Sequence, residues 1–411
     1  MADITIPFLG ETYSTRSKNV ACQRSVNLFP ELYKQGDKTS ISLIGTPGIK
    51  LFTTLGAIIR GMHVFNGVMY VVASNKLYSV DSNGYLYGPL GTLGTSIGKV
   101  SIRNNGIASL GIGGNQLCFV DGINTYIWNV VSRTFTTVSN SYLSQLTYID
   151  GYFVGIGANV MNAYASDLYD GTTWNALATS PISAAPDTLQ AVINLHQLVW
   201  FVKQYTSEVW YDAGVATTVG FPFQRVPSAV IDYGTMAPWS IVRAHDTFFF
   251  IAQQMINESG EFIGIVAVNA FTAEVISHQA MNYQISKMGD LSQVSSYAYA
   301  EGGHTFVVFN FPKITYVFDT ITKMWHERSY YSGSGQYVLN RHIGECYCYF
   351  NNKHYVSDYR ANGNIYEMSS DYLDDDGVPI ISMRVAQHLP DKNTLDNVFF
   401  SKIQIDMETG V

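Results

Sequence analysis

The residues with the most obvious chemical potential are three adjacent carboxylates, Asp374, Asp375 and Asp376, which by type alone could hold calcium. A calcium loop alternates its ligands and ends in a distal bidentate Glu. This triplet does neither and runs into Gly377-Val378-Pro379-Ile380, so it reads as a polar hairpin turn. The nine His residues, including His63, His196, His245, His304 and His326, show no HxH or HExxH spacing and predict no zinc site. Cys22, Cys118, Cys346 and Cys348 are scattered and form no secreted disulfide framework. Cys346 and Cys348 alternate on one face of an apparent strand and read as buried free thiols. Gly111-Ile112-Gly113-Gly114 lies between strands and opens no helix, which excludes a phosphate cradle. No Ser sits in a Gly-x-Ser-x-Gly elbow. Arg60, Arg103, Arg133, Arg225 and Arg243 stand apart from one another in sequence. No catalytic set, metal or cofactor is expected.

Composition narrows the class. Of 411 residues, 47% are hydrophobic and only 14% charged, where an ordinary globular chain carries about a quarter charged. That is too apolar for disorder and suits a protein that covers much of its surface with partners. A net charge of −8, with no run of Lys and Arg, argues against a primary grip on nucleic acid. The N-terminus has no basic-then-apolar signal, and no apolar stretch approaches the roughly 20 residues of a spanning helix. The expectation is a chain that folds in a cytoplasm without membrane insertion.

The elements that must position these residues are strands. Short runs of Val, Ile, Phe, Tyr and Thr flank turn pairs such as Asn66-Gly67 and Asp150-Gly151, which tolerate the positive φ of tight hairpins. Anchors near Asn66, Asn105, Asp150, Leu195, Asp246, Gly302 and Asn351 recur at about 40 to 57 residues, the period of a four-stranded propeller blade. Further strands follow several anchors, as at 76–81, 208–212, 316–319 and 364–368. The fold class is therefore all-β, a β-propeller of six or seven blades; a sandwich or solenoid would also give short strands. Residues 1–55 read as an extended N-terminal arm, 56–371 as the propeller, and 372–411 as the start of a C-terminal β-domain. That domain looks truncated, because the chain stops at Gly410-Val411 just after a strand near Phe399–Met407.

An ordered series of segments carries a resemblance. It runs through Arg24–Glu31 (RSVNLFPE), Gly45–Gly48 (GTPG), Arg60-Gly61 and Lys76–Asp81 (KLYSVD). It continues with Asp170-Gly171 and Trp174, Ala185-Pro186-Asp187, Ser207–Tyr211, Gly302–Thr305, Tyr316–Arg328, Asp376–Ile380 and Asp406–Gly410. The series resembles the packaged-DNA-stabilisation (tail hub) proteins of short-tailed phages.

The resemblance implies a non-enzymatic virion protein assembled in the host cytoplasm. Its copies, typically six, would form a ring below the portal and its adaptor. The ring would extend the DNA conduit, help retain packaged DNA, and carry the tail needle and the tailspikes or fibres. DNA would pass without sequence-specific binding, and an acidic wall would let it slide. Ring contacts are expected at the arm residues Asn27, Leu28, Phe29 and Pro30, and at the turn Asp376, Gly377, Val378, Pro379 and Ile380. The alternative is a β-propeller that binds or hydrolyses glycans. Three or more Arg, Asp or Glu side chains converging in a funnel would favour it.

Overall fold

The computed structural model describes residues 8–16, 22–33, 41–107, 113–138, 142–157, 160–257, 260–332 and 339–386. The expected strand at Phe399–Met407 and the segment Asp406–Gly410 lie outside these residues.

The predicted turn chemistry is where the structure begins. Asn66 and Gly67 both take positive φ, +48° and +69°, and join the antiparallel strands Ile59–Phe65 and Val68–Ala73. The same device recurs at Asp150-Gly151, Gly302-Gly303 and Asn351-Asn352. Consecutive left-handed residues match the right-handed twist of paired strands, and Asn, Asp and Gly reach them at least cost. At Asn105 the structure differs. The strand ends at Asn104 and its partner begins only at Gln116, so Asn105 is not at a two-residue hairpin turn. Asn105 instead exchanges side-chain hydrogen bonds with Gln116.

The hairpins extend into four-stranded antiparallel units, seven among the described residues: five are separate sheets, and the last two are part of an eight-stranded and a six-stranded sheet. Six follow in sequence, with first strands at Ile59–Phe65, Ser101–Asn104, Leu143–Ile149, Leu189–Leu195, Val242–Ala244 and Ser295–Glu301. The seventh takes three strands from Gly344–Phe350, Lys353–Asp358 and Asn364–Ser369 and its fourth from Gly48–Thr54. That strand, assigned to the arm in the sequence reading, is thus part of a blade.

Packing explains why the sheets form a ring. One apolar cluster lies between each pair of neighbouring units. Leu117 and Phe119 meet Val72 and Leu77 between the first and second. Trp200 and Val209 meet Phe248 and Phe250 between the fourth and fifth. The ring closes where Ile59, Met69 and Val71 of the first unit pack on Phe350, Tyr355 and Ile365 of the seventh. Strands buried on both faces need near-continuous apolar runs, and Leu117–Val120 and Val199–Val202 supply them. Cys348 lies in the closing cluster with Cys346 against it, and burial pushes the Cys346 thiol up to about 11. Both are free thiols, as read from the sequence.

The rest of the N-terminal region is woven onto the outside. Cys22–Val26 lies beside the last strand of the sixth unit, Trp325–Tyr331, and pairs with Met383–Val385 near the described C-terminal end. Leu28–Leu32 pairs with Ile41–Gly45 in a separate ribbon. A short helix, Gln279–Ile285, links the fifth and sixth units. It is capped by the His278 imidazole, which accepts from the Met281 N–H.

Candidate functional site

The seam that closes the ring is built from residues far apart in sequence. Gly48–Thr54 pairs with Asn364–Ser369 in register Gly48↔Ser369 to Asn364↔Thr54. Its other edge receives the hairpin Asp374–Pro379, through a parallel bridge between Asp375 and Ile49. Asp376 and Gly377 form the hairpin turn at φ +54° and +82°. The Asp376 carboxylate accepts from the Leu51 N–H at 3.1 Å, and its backbone N–H donates to the Ile49 carbonyl. The acidic triplet is therefore a turn that staples the closing strand, and no cluster among the described residues could hold a metal ion.

The predicted contact residues divide by exposure. Asn27, Phe29 and Pro30 are buried within the chain, and Leu28 is half-buried. The Asn27 amide donates to the carbonyls of Ser329 and Ile381 and accepts from the Ser329 N–H. Phe29 packs edge-on against Phe306, with ring centroids 5.0 Å apart, and His304 and His326 complete its surroundings. These residues fasten the arm to the sixth blade. Asp376, Gly377 and Pro379 are exposed, while Val378 and Ile380 are half-buried. Apolar side chains beside both segments, Leu32, Tyr33 and Leu373, are exposed as well. Sequence reading passed over these three, because exposure depends on what the fold leaves uncovered.

Inner strands of six blades, together with Pro238, Trp239 and Ile241 at the entry to the fifth, line an axial cavity of about 210 Å³. Its charged wall residues are Arg60, Lys99, Arg103 and Glu345. Arg60 donates to the carbonyls of Ser74, Thr95, Ile97 and Gly98 and to the Thr95 hydroxyl, so its guanidinium organises a loop. Glu345 takes Lys99 at 2.6 Å on one oxygen and Arg341 on the other. Burial alone would raise the Glu345 carboxyl, but the two cations outweigh it and hold it below the usual range. Glycoside hydrolysis needs two carboxyl groups across a sugar. The cavity wall offers one. Of its three Arg and Glu residues, Arg60 is bound to the 95–98 loop and Ser74, and Glu345 to Lys99 and Arg341, so three free side chains do not converge there.

One buried pair has the look of catalytic machinery. His304 Nδ1 lies 2.7 Å from Asp319 Oδ2, and Asp319 also accepts from Ile321 N–H and the Thr322 hydroxyl. On its other side, His304 Nε2 lies 3.9 Å from Glu31, across to the arm ribbon. Among the described residues no hydroxyl is hydrogen-bonded to that nitrogen. His326, beside it, is kept neutral: burial, then Arg328 and His304, push its pKa down to about 3.

With this geometry in view, comparison with known families is decisive. The family described as "Bacteriophage P22 Gp10, beta-propeller" (Phage_stabilise) matches residues 4–373. The chain belongs to that family. It is accordingly a β-propeller and a structural protein of a phage tail, a component of the virion. No curated protein matches the chain. Among solved structures, similarity extends to the Neurospora crassa Pan2 WD40 domain, with TM-score 0.49, 7% identity, and 80% of this chain and 97% of that one covered. The N-terminal domain of Nup159 follows with TM-score 0.44, 10% identity, and 85% and 99% covered. Likeness at that level carries no argument about function.

Family membership gives the ordered segments their physical meaning, because their residues meet. Arg24 pairs with Glu327, joining RSVNLFPE to the sixth blade. Arg328 donates to the Pro47 carbonyl of GTPG at 2.6 Å. Asp187 and Glu208 converge on the fully buried Lys203 at 3.0 and 2.7 Å. Buried charges are tolerated when paired in this way. These family segments are internal ties of the propeller.

Proposed function

We propose that this chain is the tail hub of a short-tailed phage and acts by assembly rather than catalysis. Several copies, six in the family-based expectation, form a ring below the portal and adaptor. The ring prolongs the DNA conduit, helps retain packaged DNA and anchors the needle and the tailspikes or fibres. The observation that carries this reading is the family match across residues 4–373. Two physical points support it. An axial cavity of about 210 Å³ is far too small for a duplex whose major groove alone is about 12 Å wide, so a conduit has to run between copies. The net charge of −8 suits a wall along which DNA slides. Subunits of a closed ring meet through unlike faces. The exposed turn Asp376-Gly377 with Pro379 and Leu373, and the exposed Leu32 and Tyr33, are the surfaces offered for such contacts.

The test is the mass of the purified full-length protein, alone and mixed with its portal–adaptor complex. A ring of about six copies in either condition is expected. A monomer that ignores the portal rejects the hub reading.

A further inference from the structure

The axial cavity contains a guanidinium that the chain itself does not neutralise. Arg103 lies on the inner strand of the second blade, and its one hydrogen bond goes to the neighbouring Ile102 carbonyl at 2.7 Å. Among the described residues it makes no ion pair. Burial lowers its proton affinity, and no carboxylate offsets that effect. A half-buried guanidinium in a cavity, with no carboxylate beside it, favours a counter-charge.

The rest of the wall cannot supply one. Glu345 is the sole carboxylate lining the cavity and is held by Lys99 and Arg341, while Arg60 is saturated by carbonyls. From the sixth blade comes one further donor, the Ser296 hydroxyl, which is buried and without a hydrogen-bond partner. A cavity of 210 Å³ has space for roughly seven waters at their liquid volume. The wall is thus rich in donors and has no free acceptor of matching charge.

We propose that the axial cavity is a binding site for a small oxyanion, a phosphate, sulfate or carboxylate group, with Arg103 as its principal partner. The planar fork of a guanidinium matches two oxygens of such a group, and most of its N–H donors are unspent. The site does not depend on ring formation and stands apart from the hub reading.

The experiment is calorimetric titration of inorganic phosphate into the purified full-length protein at low ionic strength. The wild type, Arg103→Gln and Arg225→Gln are compared, Arg225 being exposed on the outer strand of the fourth blade. One phosphate per chain is expected, with at least tenfold weaker binding by Arg103→Gln and no change in Arg225→Gln. Melting without phosphate separates this from a structural role: Arg103→Gln melts at or above the wild type, since an unpaired charge has gone. Phosphate raises the wild-type melting temperature and leaves that of Arg103→Gln unchanged. A parallel titration with N-acetylglutamate amide distinguishes the sources. Tighter phosphate binding assigns a free inorganic anion, and tighter glutamate binding assigns an acidic side chain of a partner. Absence of binding by the wild type, or equal binding by Arg103→Gln, overturns the proposal.

Discussion

Asn27 and Ser329, 302 positions apart in sequence, are joined like neighbouring strands. The Asn27 amide donates to the Ser329 carbonyl at 3.1 Å and accepts from the Ser329 N–H at 2.8 Å. Asn27 also donates to Ile381 at 2.9 Å, so one side chain ties the arm, the sixth blade and the C-terminal segment together. Its φ of +54° is a conformation that Asn tolerates better than most residues.

Replacing that residue tests the tie. Asn27→Ala removes three hydrogen bonds, leaves buried backbone groups unpaired and strains the turn, for an expected loss of about 2 to 4 kcal/mol. Asn27→Gly relieves the strain and should lose less. Denaturant midpoints and proteolysis of the N-terminal region provide the readout. Wild-type behaviour in Asn27→Ala would show that the arm is held elsewhere.

His326 is a buried imidazole whose two ring nitrogens have no hydrogen-bond partner, packed among Phe29 and Phe306. Its pKa falls from 6.5 to about 3 on folding. Between those values the unfolded chain binds a proton that the folded chain refuses, so stability contributed here drains away as pH falls from about 6.5 toward 3. His326→Phe should stabilise the protein by about 1 to 3 kcal/mol near pH 7, by ending the burial of unpaired polar atoms. Its advantage over wild type should widen below pH 6. A gap that narrows with acid would count against this account.

Asp375 predicts the opposite slope. It is buried at the closing seam, its Oδ1 has no partner, and burial lifts its pKa from 3.8 to about 6 despite Arg328 and Arg360 nearby. Between pH 4 and 6 the folded chain holds a proton that the unfolded chain has released, so stability falls as pH rises through that window. The full penalty above pH 6 is about 3 kcal/mol as an upper figure. Asp375→Asn should therefore be more stable than wild type at pH 7, with the difference shrinking toward zero near pH 4. Thermal melts of both proteins across that range decide it, and a pH-independent difference rejects the assignment.

Hairpin turns at Asn66-Gly67, Asp150-Gly151, Gly302-Gly303 and Asn351-Asn352 were readable, because positive φ is a property of the residues at the turn. The Asn105 anchor was not of that kind, since its polar side chain bonds to Gln116 at the start of the next strand. Asn27, Phe29 and Pro30 were read as ring contacts, and within the chain they are buried. A sequence pattern marks such residues without saying what covers them.

By itself, then, the sequence determined the strand class, most of the turns, the free thiols and the family, since each depends on local sterics, composition or an ordered series of segments. Only the tertiary structure decided that Gly48–Thr54 closes the seventh blade, and that the acidic triplet clamps this strand. It alone placed Arg103 in an axial cavity whose one carboxylate, Glu345, is held by Lys99 and Arg341. Each of these pairs or separates groups up to more than 300 residues apart. What brings them together is the ring of apolar clusters between blades, a sum over the whole chain that no local window contains.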